Sequence, residues 1–258
     1  MRNRLLISTL FILSICLLSV GATQNKPAVV PESGDPNAIF ARSMAVYAAL
    51  HSYADTGAII TELRNAGTTG PPLTERHTFV TYYRASRQFF FEFQKDPQVG
   101  DERFVVWSDG GDFNTWWSAT KVHDTYPKGK GATAFALAAF PTKNSVLQIA
   151  PLIFPQAGLH GSIADLKVLR TGPVEQIAGH KCYQLSGEVG LAYSTGTVTN
   201  VRPTIVWIDV ETMMVRKVLE DTPSESGSGS IDRITTIFEP QVDPKLDDTR
   251  FKFVVPSD

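Results

Sequence analysis

The chain has 258 residues, with 24 Lys and Arg against 26 Asp and Glu, 43% hydrophobic residues and two cysteines. Two cysteines exclude a disulfide framework, and the absence of any basic stripe excludes nucleic acid as a natural partner. What remains is long enough for one β-rich domain with a sizeable core.

The first 24 residues read MRNRLLISTLFILSICLLSVGATQ. Arg2 and Arg4 precede an apolar run from Leu5 to Val20, and small residues follow at Gly21 and Ala22. This is the pattern of a secretory signal peptide over 1–22, removed near Thr23. An uncleaved anchor is the alternative, since the run is close to the shortest that spans a bilayer. Cys16 lies inside the apolar run behind Ile15, not behind the small residue that lipoprotein acylation requires, so it is read as part of the leader. Cys182 is then the one cysteine of the exported protein, expected as a small hydrophobe in a strand. Loss of Arg2 and Arg4 turns 24 basic residues into 22 against 26 acidic ones, a mildly acidic exported chain.

Residues 23–34 are polar, carry Pro27, Pro31 and Gly34, and read as a linker to a single domain over 35–258. Asp35 as N-cap and Pro36 in the first turn predict a helix to about residue 51, with Phe40, Met44, Tyr47 and His51 at helical spacing. The period then changes to two. Strands are expected over 53–64, 75–84, 87–93, 103–109 and 113–122, an antiparallel meander with a Gly110–Gly111 turn.

In RQFFFEF (87–93), Phe89, Phe91 and Phe93 share one face of the strand, and Gln88, Phe90 and Glu92 share the other. A carboxylate at 91 is therefore expected to be ruinous and one at 90 far milder. The stretches 131–140 and 144–154 read as two helices that are apolar nearly all round, with Asn144 as a cap and Pro151 near the last turn. Helices without a polar face are covered on most sides. Strands resume over 164–172, 180–189, 202–211, 213–221, 231–240 and 249–256, and the Ser/Gly run at 224–230 is a hairpin tip. One helix, many strands, two greasy helices and many strands again describe a large curved antiparallel sheet with helices on one side, mainly β with an α+β element order.

Phe89, Phe91, Phe93, Trp207, Phe251 and Phe253 are the candidates for lining the helix-covered face. Two readings stay open for that face: fully packed core, or an apolar cavity that accepts lipid.

Several motifs together resemble a known family. The segment VVWSDGGDFNTWW, the strand, turn and return strand of TIVWIDVETMMVRKV, and the closing FEPQVDPKLDDTRFKFVVP are similar, in that order, to the LolA and LolB superfamily of periplasmic lipoprotein carriers. The resemblance implies an unclosed antiparallel β-barrel whose concave side is lidded by helices over a cavity for acyl chains, an architecture shared with RseB-like envelope-stress sensors. It departs from that family at Arg84, which is followed by Ala85 and not by proline. The resemblance implies a periplasmic, non-enzymatic, monomeric binder of lipid or acylated ligand, with an envelope signalling or assembly module that binds a protein partner as the alternative.

Chemistry of other kinds finds little support. The five histidines, at 51, 77, 123, 160 and 180, lack metal-ligand spacing with one another or with Cys182, so no metal is expected. Asp109, Asp112 and His123 offer a third reading, a hydrolase, but no nucleophile signature accompanies them. GKGATA at 129–134 fits a dinucleotide fingerprint in form. It lacks the apolar strand before it and the acid some 20 residues after it, so no cofactor is expected.

Overall fold

The computed structural model describes residues 34–63, 70–85, 87–96, 100–155, 159, 161–192, 198–223 and 231–256. The expected leader, the linker up to residue 33 and the hairpin tip at 224–230 lie outside the described residues.

Helix α1 spans Pro36–Ala48. The Asp35 carboxylate accepts the Asn37 N–H at 3.0 Å, which satisfies one of the free donors of the first turn. The helix stops three residues short of the expected His51. Ile39, Ser43 and Tyr47 are its fully buried stripe, and Phe40 and Met44 pack beside it. Two side chains tie α1 to the sheet: the Ser43 hydroxyl donates to the Met213 carbonyl at 2.7 Å, and the Val215 N–H donates to the Tyr47 hydroxyl at 3.1 Å.

The first half of the sheet is a meander of β1 (Ser52–Leu63), β2 (Leu73–Arg84), β3 (Gln88–Lys95), β4 (Arg103–Asp109), β5 (Phe113–Trp117) and β6 (Val122–Tyr126). Helices α2 (Gly131–Ala139) and α3 (Val146–Ile153) follow. The second half comprises β7 (Lys167–Thr171), β8 (Glu175–Ile177), β9 (His180–Ala192), β10 (Val198–Asp209), β11 (Val215–Pro223), β12 (Ile231–Phe238) and β13 (Gln241–Val242).

All pairings are antiparallel, in the order β6-β5-β4-β3-β2-β1-β12-β11-β10-β9-β7, with β8 beside β9 and β13 beside β1. The two halves join where β1 meets β12, from Gly57 opposite Phe238 to Glu62 opposite Arg233. β6 and β7 end the order and do not pair with each other, so the sheet stays open. This is the large unclosed antiparallel sheet with helices that the sequence leads one to expect.

Gly57 sits at the join for a steric reason. A methyl group there would overlap the Phe79 ring and the Ile237 carbonyl. Phe79 lies over the glycine and meets Phe238 edge-on at 5.5 Å, so the missing side chain is replaced by a neighbour's ring.

Three expectations are corrected. The stretch 113–122 is not one strand. The chain turns after Trp117, where the Lys121 N–H returns to the Trp117 carbonyl at 2.7 Å and Lys121 adopts a φ of 55°. Asn144 is not the helix cap: it has a φ of 61°, the cap position falls one residue later on Ser145, and α3 begins at Val146. The segment 249–256 is not a strand. It forms a short 3-10 turn over Asp248–Phe251 and then runs extended without pairing.

That closing segment crosses the sheet on the side away from α2 and α3. It covers Phe90, Val105, Trp107 and Trp116 with Phe251 and Phe253. Arg84 grips it, donating to the Leu246 carbonyl at 2.9 Å, pairing with Asp248, and placing its guanidinium 5.1 Å from the centre of the Phe251 ring. Phe90 is 8% exposed. The expectation that a carboxylate at 90 is far milder than one at 91 assumed an open outer face, and that assumption is corrected, because β3 is covered on both faces.

Candidate functional site

Phe89, Phe91 and Phe93 project to the helix-covered face and are 1%, 2% and 2% exposed. α2 and α3 provide the cover for Phe89. Its ring lies 5.1 Å from Phe135 of α2 and 5.5 Å from Phe154 at the end of α3, both edge-on. Phe113 closes the group at 5.3 Å from Phe135, and Tyr83 meets Phe154 at 5.2 Å. Edge-on contacts at these separations are favourable beyond the area they bury. Further along the same face, Phe91 stacks with Phe79 at 5.9 Å and Phe93 with His77 at 4.9 Å.

The remaining three candidates lie elsewhere. Phe251 and Phe253 belong to the closing segment on the opposite side of the sheet. Trp207 also points outward, since its neighbours Val206 and Ile208 are the core-facing ones. Its indole N–H donates to Glu175 at 2.8 Å, and Lys217 sits 4.3 Å above its ring. These three cannot line the helix-covered face. Phe113, Phe135 and Phe154 take their place there. The apolar character of the two helices pointed to the last two, whereas Phe113 carried no signal of its own.

Two openings border α2. A crevice of about 150 Å³ lies between the start of α2 and the sheet, with Phe113, Phe135 and Phe154 as its apolar wall and Arg87 and Lys128 at its rim. Gly131 permits this approach, because a side chain there would strike the Phe113 ring. At the other end of α2 a groove of about 280 Å³ runs along β5 and β6, lined by Phe104, Trp117, Val122, Tyr126, Leu137 and Phe140. α2 itself has no polar face: Phe135 is buried while Leu137 and, just past its end, Phe140 are exposed.

The helix-covered face is not apolar throughout. Glu220 is 1% exposed, accepts from the Gln148 amide of α3 at 2.7 Å, and lies 3.5 Å from the Arg202 guanidinium. Burial raises its carboxyl above the usual range, while Arg202 and Gln148 pull the other way. Burial likewise lowers the His77 imidazole. Near α1, Asp55 is 1% exposed and accepts the Tyr53 hydroxyl at 2.8 Å, and burial pushes its carboxyl up to about 6. Cys182 is a buried free thiol, pushed up to about 11 by burial, which removes its reactivity.

The residues of the hydrolase reading serve structure. Asp109 accepts the Gly111 N–H at 3.3 Å, Asp112 accepts the Lys128 N–H at 3.1 Å, and His123 stacks on Trp107 at 5.3 Å on the outer side of the sheet.

No protein-family model and no curated protein matches the chain. Among solved structures, it is similar to a DUF1329 family protein from Desulfovibrio piger, at 12% identity over 85% of this chain and 98% of that one, with a TM-score of 0.38. It is similar to a LolA superfamily protein from Nitrosomonas europaea at 10% identity over 86% and 99% of the two chains, with a TM-score of 0.34. A candidate outer membrane lipoprotein-sorting domain from Vibrio parahaemolyticus matches at 11% identity over 84% and 97%, also with a TM-score of 0.34. These are likenesses of fold, and the functional reading rests on this chain's own residues.

Proposed function

We propose that this is an exported, non-enzymatic protein that binds lipid or acyl chains between α2 and the sheet. The observation that carries the reading is α2 itself. A helix with no polar face lies over a layer of aromatic rings, and an apolar opening borders each of its ends. A chain entering either opening exchanges water for ring and aliphatic contacts, and each methylene contributes roughly 0.8 kcal/mol. About ten buried carbons, more than the crevice of about 150 Å³ holds but near the size of the groove of about 280 Å³, give roughly 8 kcal/mol before the cost of association, which places affinity at micromolar or weaker. The sequence resemblance to lipoprotein carriers and the N-terminal leader pattern support the same reading, with the periplasm as its site.

The alternative, an envelope signalling or assembly module, draws on a different observation. A groove of about 560 Å³ crosses β12, β1, β2 and β3 on the outer side and is bordered by Arg76, Glu92, Gln94 and Glu239. Its polar rim suits a protein partner better than an acyl chain.

Native mass spectrometry of the protein recovered from the cell envelope without detergent tests the leading reading. The expected spectrum shows a chain starting near Thr23 with an acyl-bearing ligand attached, and a fluorescent fatty acid then exchanges with that ligand. A ligand-free chain that takes up no fatty acid well above micromolar concentration would discard lipid binding and leave the protein-partner reading.

A further inference from the structure

The exposed side of α2 is apolar where most surface helices are polar. Leu137 is 56% exposed, Phe140 is 69% exposed, and Val122 across the groove is 49% exposed. The groove between them is continuous with these residues and carries Trp117 and Tyr126, the two aromatic types that combine an apolar ring with a polar tip. An exposed apolar patch of this kind marks an interaction surface.

Its charge identifies the partner. Around α2 the chain carries Lys128, Lys130 and Lys143, and the one acid of this stretch, Asp124, lines the groove between them. The whole chain is net negative by two charges. Lys128 and Lys130 are exposed just before α2, and Lys143 follows it, so cations flank the apolar patch at both ends of the helix. Asp112, outside this segment, accepts the Lys128 backbone N–H and keeps its negative charge beside that lysine. A second copy of the chain would bring lysines against lysines, whereas an anionic lipid surface matches both the apolar and the cationic parts.

We infer that the α2 face docks on anionic phospholipid membranes, with Leu137 and Phe140 entering the acyl boundary and the flanking lysines at the headgroups. The docking face shares the groove at the end of α2 with the acyl-chain reading, and dependence on anionic headgroups and on salt separates the two, since capture of a single chain needs neither.

The test uses the full chain with Phe140→Trp and vesicles of phosphatidylcholine, with or without phosphatidylglycerol, whose acyl chains carry bromine. A local readout is needed because the apolar run at 5–20 can itself hold the chain to vesicles. The emission that Phe140→Trp adds over the wild type, whose Trp107, Trp116, Trp117 and Trp207 are measured as the reference, should be quenched on anionic vesicles and much less on neutral ones, and added salt should weaken the effect. Leu137→Glu should abolish it. Lys128→Glu with Lys130→Glu should reduce partitioning by at least roughly tenfold, since each lysine near the surface is worth roughly fivefold. Exposed positions tolerate these changes, and circular dichroism verifies that each variant folds. An unquenched tryptophan on vesicles that do hold the protein would overturn the inference. So would quenching indifferent to the lysines, or dimerisation that Leu137→Glu dissolves.

Discussion

Removal of the Phe90 ring is the most direct test of the two-sided sheet. Phe90 is 8% exposed, lies 6.0 Å from the Tyr82 ring, and shares its cluster with Val105, Trp107, Trp116 and Phe251. Phe251 is fully buried under Arg84. Truncation of such a ring costs the transfer energy plus a cavity term, about 3–5 kcal/mol for Phe→Ala. For a domain of this size that lowers the melting temperature by roughly 6–20 °C. Phe251→Ala should cost a similar amount, because the closing segment loses its deepest anchor. The two changes empty one cluster, so the double variant should fall short of the sum by about 0.5–3 kcal/mol. Urea unfolding of the wild type, both singles and the double, followed by tryptophan fluorescence, measures every term. A loss below about 1 kcal/mol for Phe90→Ala would mean an uncovered outer face, since surface substitutions stay within about 0.5 kcal/mol. Additive costs would equally refute the packing of the closing segment on β3 and β4.

Asp55 makes stability depend on pH in an unusual direction. Burial pushes its carboxyl from 3.8 up to about 6, so its protonated form is favoured in the folded state, and that contribution is complete below about pH 4 and fades as pH rises through 6. Asp55→Asn keeps an acceptor for the Tyr53 hydroxyl and should flatten the melting-temperature profile between pH 4 and 6, with a gain of at most about 3 kcal/mol at neutral pH. An unchanged profile would remove Asp55 as its source. Gly57→Ala should lose roughly 1–3 kcal/mol or more by forcing the Phe79 ring off the β1–β12 join, and Phe79→Leu on the same background should restore part of it. A neutral Gly57→Ala in calorimetry would contradict the close approach of Phe79.

Much of the architecture was legible because side-chain direction in a strand depends only on parity. The alternation in RQFFFEF places Phe89, Phe91 and Phe93 together whatever the rest of the chain does, and Asp35 followed by Pro36 starts a helix through local hydrogen bonding and a preset φ. The absence of a polar face on α3 likewise announced its cover on nearly all sides, whereas α2, equally apolar, keeps one side exposed at Leu137 with Phe140 just beyond. Parity does not say which face of one strand continues which face of another, and here the register between strands decided it. Trp207 alternates as regularly as Phe91, yet pairing opposite Lys217 turns it outward. Phe251 and Phe253 alternate as a strand would, because period two reports an extended chain and not a hydrogen-bonded partner. Arg84 and the apolar outer side of β3 and β4 capture that segment instead, with Arg84 reaching Leu246 across 162 residues of chain. Burial of Asp55, Gln148 and Glu220 depended in the same way on strands and helices meeting across the chain. The sequence determines the period and the local signals at each element, and tertiary contact alone determines which faces are covered, since coverage belongs to pairs of distant segments and not to either one.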